Sequence, residues 1–196
     1  LMTLTHTGPL FEGRDGVRVV ASGEICCYHG TWTLREGYVV PSHRGRGLQR
    51  RLAQAPNCLF VVAPDVPFDA EGTVRRFEQY REQLLALGQP VAFCLQDGMG
   101  SEDVPWADID AVFIGGSTAW KMGHEAGALV TEAKRRGKWA HMGRVNSLRR
   151  LRVAASMGCD SVDGTTLKYR PDEYWELMKR WFADLEMQPV MRLVTA

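Results

Sequence analysis

Five short clusters in this chain combine acids, amides and glycines where an apolar run ends. They are Asp65, Gln96-Asp97-Gly98, Gly115-Gly116-Ser117, His141-Met142-Gly143 and Asp163-Gly164. In a parallel α/β sheet or barrel the C-terminal strand ends form one mouth, and chemistry is built there. Glycines at such ends let a ligand approach backbone N–H groups. A carboxylate and a carboxamide on neighbouring strands match a flat heterocycle with donor and acceptor edges. Each residue type is also an ordinary turn former; five clusters in succession carry the argument. Asp163, at the end of the run that begins at Cys159, is the carboxylate around which the others are arranged.

The elements that must position these clusters follow from the apolar pattern. Leu59 to Ala63 is a continuous apolar run, suited to a strand covered on both faces. Thr73 to Leu87 has the stripe of a helix, with Gly88 as its C-cap. Strands are predicted at Val91–Leu95, Ala111–Ile114 and Lys138–Met142, with a helix ending near Arg136 before Gly137. Ser147 is a good N-cap for a helix to Met157, and Gly158 stops it. A last helix starts at Pro171, with Asp172 and Glu173 in its first turn. Upstream, Leu1–Thr5, Val17–Val20 and Gly37–Val40 are short β-favouring runs. Repeated strand, helix, glycine units predict parallel βα repeats. Eight would close a compact (β/α)8 TIM-type barrel; an open doubly wound sheet is the alternative.

Composition sets the frame. The chain has 196 residues, 45% hydrophobic and 24% charged, with net charge +1, which fits one domain spanning residues 1–196. The charge does not advertise a nucleic-acid binder, although a local basic face is compatible with it. No apolar run is long enough for a bilayer, and no secretory leader is recognisable. Five cysteines without framework spacing suit a reducing, cytoplasmic setting. Cys58, Cys94 and Cys159 lie in apolar runs and are expected to pack in the core. Cys26, Cys27 and His29 match zinc spacings poorly. There is no phosphate loop with lysine, no dinucleotide-binding fingerprint and no nucleophile elbow.

Val62-Ala63-Pro64-Asp65, Leu95-Gln96-Asp97-Gly98, Phe113-Ile114-Gly115-Gly116, His141-Met142-Gly143 and Asp160-Ser161-Val162-Asp163 occur in that order. The series resembles the motifs of the tRNA-guanine transglycosylase (queuine tRNA-ribosyltransferase) family. It is most similar to the short phage and bacterial relatives that insert 7-deazaguanine bases into DNA. The resemblance implies a (β/α)8 barrel that exchanges guanine for a 7-deazaguanine base, without a cofactor. Asp163 would be the nucleophile that forms a covalent glycosyl intermediate, chemistry suited to a carboxylate. Asp65 would read the guanine N1 and 2-amino donors, and Gln96 and the Gly116 N–H would contact O6. Gly115 and Gly143 would line the base site, and Met142 would lie on the base face or pack in the core.

The chain departs from that family twice. Ala21, in Val20-Ala21-Ser22-Gly23-Glu24, stands where the family has an aspartate, which makes Glu24 the candidate replacement acid/base. Nothing from Lys168 to Ala196 supplies Cys or His ligands, so the family zinc is not expected. For a DNA or tRNA partner, Arg44 and Arg46 in the basic run from His43 to Arg51, and Arg144, are the expected phosphate contacts. Lys134 to Lys138 is expected to complement a helix end. Trp32, Trp106 and Trp120 are candidates to hold an unstacked base or to pack in the core. A homodimer or partner modification proteins fit the same reading. Two alternatives stand beside it. One is a non-catalytic nucleobase or nucleic-acid binder. The other is a barrel enzyme acting on a small phosphorylated metabolite, with Asp65 or Asp163 as acid/base.

Overall fold

The computed structural model describes residues 3–6, 19–21, 37–39, 58–164 and 171–187. Eight parallel strands form one sheet: β1 (Thr3–His6), β2 (Val19–Ala21), β3 (Gly37–Val39), β4 (Cys58–Val62), β5 (Val91–Leu95), β6 (Ala111–Ile114), β7 (Trp139–Met142) and β8 (Ser161–Gly164). The helices are α1 (Ala70–Leu85), α2 (Thr118–Lys121), α3 (His124–Arg135), α4 (Leu148–Met157) and α5 (Pro171–Met187). Strand order is β2-β1-β8-β7-β6-β5-β4-β3.

Local signals explain the elements. Asp69 caps α1, its Oδ1 accepting from the Gly72 N–H at 2.9 Å, so the helix begins before the predicted Thr73. Ser117 and Ser147 cap α2 and α4 in the same way. Gly158 ends α4 at φ 87°, in the left-handed region that glycine occupies without a Cβ penalty.

Two cores separate the faces of the sheet. On one face Val61, Phe93, Leu95, Val112, Ile114, Ala140, Met142 and Val162 pack under the helices, against Phe77, Leu129, Val130, Leu151 and Met178. On the other, Phe60, Val62, Ala92, Cys94 and Ala111, with Phe113 and Trp139, pack strand against strand. Successive side chains on a strand alternate between faces, so β4 to β8 curl around this second cluster. Among the described residues, helices supply the first core and none of the second, which distinguishes the fold from the doubly wound alternative. Cys94 and Cys159 are buried thiols, as predicted. Burial pushes Cys159 up to about 12.

The complete (β/α)8 barrel predicted from the sequence is not formed. The regular part is a curled half-barrel of five parallel strands, β4 to β8, alternating with helices. β1, β2 and β3 have only four, three and three residues. β2 and β3 are the two edges of the sheet, and among the described residues no ladder joins them. Strands this short offer few backbone groups for closure. Among the described residues no helix is long and apolar enough to cross a membrane.

Phe77 is the main anchor of α1, meeting the Phe93 ring edge-on at 5.3 Å between centroids. Phe77→Ala is expected to lower stability by about 3–5 kcal/mol, read as an earlier urea midpoint with an unchanged slope.

Candidate active site

The C-terminal ends of β4 to β8 converge, and side chains there lock the strand-end loops together. The Gln96 carboxamide, 1% exposed, makes three of these contacts. Its Nε2 donates to Asp65 Oδ2 at 2.7 Å, and its Oε1 accepts from the N–H groups of Gly116 and Phe68, both at 3.0 Å. Asp97 Oδ2 accepts from the Ser117 N–H at 2.6 Å. Burial alone would raise the Asp97 carboxyl. The hydroxyl and N–H of Ser117, helped by the charge of Arg144, outweigh it and hold the group below the usual carboxylate value.

A second network runs along the concave face of β7 and β8. Trp139 Nε1 donates to Ser161 Oγ at 2.8 Å, and Ser161 Oγ is 2.8 Å from His141 Nδ1. His141 Nε2 lies 3.3 Å from Asp163 Oδ2. An indole can only donate, so the Ser161 hydroxyl accepts from Trp139, and its own hydrogen can serve Nδ1 when that nitrogen carries no proton. That assignment places the imidazole proton on Nε2, aimed at Asp163. The rings of Phe113 and Phe60 enclose the histidine, with centroids at 4.7 and 5.7 Å. The other Asp163 oxygen accepts from the Arg144 N–H at 2.5 Å. The Asp163 side chain keeps 16% exposure while His141 has none. A carboxylate at the surface of the mouth is thus backed by a buried imidazole.

Cations gather beside it. Arg144 has φ 60° and donates to the Gly116 carbonyl, and Phe68, its neighbour in a cation–π contact at 5.8 Å, has φ 66°. Two non-glycine residues in the left-handed region at one mouth mark stored strain of the kind found at functional sites. Arg150 donates to the Arg144 carbonyl at 3.0 Å. Lys121, with no exposed surface, donates from Nζ to the Gly143 carbonyl at 2.7 Å. Burial, then the charge of Arg144, lowers its ammonium to about 8, with Asp163 pulling the other way.

The sequence-predicted residues divide accordingly. Asp163, Asp65, Gln96, Gly115, Gly116, Gly143 and Arg144 come together at the mouth. Met142 is fully buried on the opposite face of β7, in the core beneath the helices, away from Asp163. The glycines serve internal contacts. A Cβ on Gly143 would stand 2.8 Å from the Phe113 ring, and one on Gly116, at φ 52°, 2.6 Å from Trp120 and 2.8 Å from Asp97. Ala21 is the last residue of β2, paired with His6. Glu24, Arg44, Arg46 and Trp32 lie outside the described residues. Lys134 pairs with Asp160 at 2.7 Å, and Lys138 donates to the Ile109 carbonyl. Both contacts sit at the N-terminal ends of strands, on the rim away from the mouth. Trp106 Nε1 donates to the Ser101 carbonyl and Trp120 Nε1 to Glu125. Among the described residues no group of three or more His, Cys, Asp or Glu is placed to hold a metal ion.

Sequence reasoning missed Trp139, Ser161 and Lys121. The first two had a signal: Trp139 and His141, like Ser161 and Asp163, are two residues apart and therefore share a strand face. Lys121 had none, because its burial depends on the loop after β7.

No family model matches the chain, and no curated protein does. Among solved structures, an HpcH/HpaI aldolase from Desulfitobacterium hafniense is 12% identical with a TM-score of 0.51, covering 97% of this chain and 95% of that one. The YdjI aldolase from Escherichia coli K12 is 11% identical with a TM-score of 0.51, covering 96% and 82%. At this identity the likeness speaks to fold. The resemblance to tRNA-guanine transglycosylases is not upheld: no family model matches, and the two solved structures just described are aldolases. With it go guanine/7-deazaguanine exchange, DNA modification and the Asp163-glycosyl intermediate. The geometry agrees at two expected base readers, since Gln96 and the Gly116 N–H are bonded to each other.

Lys121 generates a pH signature. Its native pKa, about 8, lies below the ordinary 10.5. Between those values the unfolded chain binds more protons, so this group's contribution to stability rises with pH there and is flat below. The urea midpoint of the wild type relative to Lys121→Met should therefore climb from about pH 8 to pH 10 and stay level from pH 6 to 7. A level difference throughout would mean that the ammonium is not desolvated.

Proposed function

We propose that this chain is an enzyme acting on a small anionic carbonyl metabolite, of the lyase type, with Asp163 as its acid/base. The observation that carries the reading is the carboxylate at the mouth held between the Arg144 N–H and the His141 imidazole. Support comes also from the cations on either side of it, and from the aldolase names of two solved structures with the same architecture.

The chemistry follows from the parts. Aldol cleavage removes a hydroxyl proton, breaks a carbon–carbon bond and leaves an electron pair on the carbon beside a carbonyl. Asp163, fixed at both oxygens, takes the proton. His141 Nε2–H stabilises the carboxylate and limits its rotation. Ser161 and Trp139 hold the imidazole in that tautomer, and the Phe113 and Phe60 rings keep water away. Arg144 has five donors, of which one is engaged with the Gly116 carbonyl. The rest are available to a substrate carboxylate or phosphate and to the enolate oxygen, with Arg150 alongside. Charge placed where an oxyanion develops is generally the largest catalytic contribution.

The simplest half-reaction is exchange of the hydrogens next to the carbonyl with deuterated water. Pyruvate and dihydroxyacetone phosphate, which carry a carboxylate and a phosphate, are suitable probes by proton NMR. Exchange with at least one is expected, reduced about 10²–10⁴-fold in Asp163→Asn and by a smaller factor in Ser161→Ala. Equal rates in wild type and Asp163→Asn, or no exchange with either probe, would overturn the reading.

A further inference from the structure

We infer that Lys121 is a covalent group of this site, its ε-amine capturing the carbonyl carbon of the substrate as an imine. The inference rests on the carbonyl-enzyme reading above and deepens it. Three observations place the amine. Lys121 ends the short helix that follows β6, and its Nζ is held on the Gly143 carbonyl just beyond β7, the strand that carries His141. Its side chain is wholly covered. The surrounding charges are mixed: Arg144 and Arg150 disfavour the ammonium, while Asp163 and Asp97 favour it. A lysine that is desolvated and set beside another cation is the arrangement that keeps an amine neutral and nucleophilic near neutral pH. A purely structural tie to one carbonyl would not require a buried ammonium among arginines.

Arg144 is the natural cover. It follows Gly143, whose carbonyl holds Lys121 Nζ, and reaches the Gly116 carbonyl in the loop after β6. An anionic substrate that draws the guanidinium off Gly116 opens the way to the amine.

The step balances as follows. The Nζ lone pair forms a bond to the carbonyl carbon, and the C=O π pair moves to oxygen, which takes a proton to give a carbinolamine. Nitrogen gives up a proton, the hydroxyl leaves as water after a second protonation, and a protonated imine remains. Asp163 then takes the substrate hydroxyl or C–H proton. The electron pair of the broken bond passes into the C–C–N system as an enamine. Reprotonation at carbon and addition of water return the carbonyl product and the free amine. No oxidant or reductant enters.

The test is reductive trapping of the full chain with pyruvate, and separately dihydroxyacetone phosphate, in the presence of sodium cyanoborohydride. The hydride converts an imine to a stable secondary amine. Peptide mass spectrometry should find Lys121 carrying the probe's mass less one oxygen. Labelling should rise about tenfold from pH 7 and level off by pH 9, whereas an ordinary lysine titrating near 10.4 would still be climbing. Lys121→Arg, which keeps the charge, should lose the label. The wild-type peptide map decides the question even if that variant misfolds. No label at Lys121, or label only on other lysines, overturns the inference. Deuterium exchange measured on the same preparation separates the two readings. Exchange without a Lys121 label removes the covalent role and leaves the Asp163 reading, whereas neither signal removes both.

Discussion

A curled parallel sheet has a concave side closed off from water, and every polar group on that side must find a partner within the protein. Much of this structure is organised by that requirement. The lower part of the concave side is apolar, filled by Phe60, Val62, Ala92, Cys94 and Ala111. Toward the mouth it becomes polar, and each buried polar group is bonded in turn: the Trp139 indole to Ser161, Ser161 to His141, His141 to Asp163, and Asp163 to the backbone of Arg144. His141 within this series is wholly covered, while Asp163 keeps contact with solvent at the mouth. The Asp163 carboxylate is fixed in this way by residues that satisfy one another.

The same requirement accounts for the cationic side of the mouth. Asp163 and Asp97 bring negative charge to the ends of β8 and β5, and Arg144, Arg150 and Lys121 answer it from the segments that follow β6 and β7. The balance is uneven for Lys121, whose desolvation and arginine neighbours outweigh the carboxylates. The strained backbones of Phe68 and Arg144 belong to this arrangement. Gln96 anchors the N–H of Phe68, and Asp163 anchors that of Arg144. Energy stored in those two conformations is held by the surrounding hydrogen bonds.

The motif series that resembles the transglycosylases is made of turn-forming residues at strand ends, and any parallel sheet needs such residues there. Fold and strand-end vocabulary are shared by proteins of unrelated chemistry. Gln96 shows how the resemblance misleads. A carboxamide beside a glycine N–H matches a base-reading pair in sequence, yet in space the two groups satisfy each other. Met142 shows the same for strand faces: one position from His141, it points into the helix-side core.

What the sequence by itself determined is local. The apolar runs, the caps at Ser147 and Gly158 and the helical stripe of α1 gave strand and helix positions with small shifts. The end-of-strand clusters marked the rim that carries Asp163. These features were legible because their physics acts within a turn or a strand. Tertiary structure alone decided which of the marked residues face one another. His141 and Asp163 are 22 residues apart, Lys121 and Gly143 also 22, and Gln96 and Asp65 31. Each pairing depends on strand register and on the curl of the sheet. The same holds for closure: whether eight short strands meet edge to edge depends on lengths and ladders summed around the whole circuit, and among the described residues no ladder joins β2 to β3.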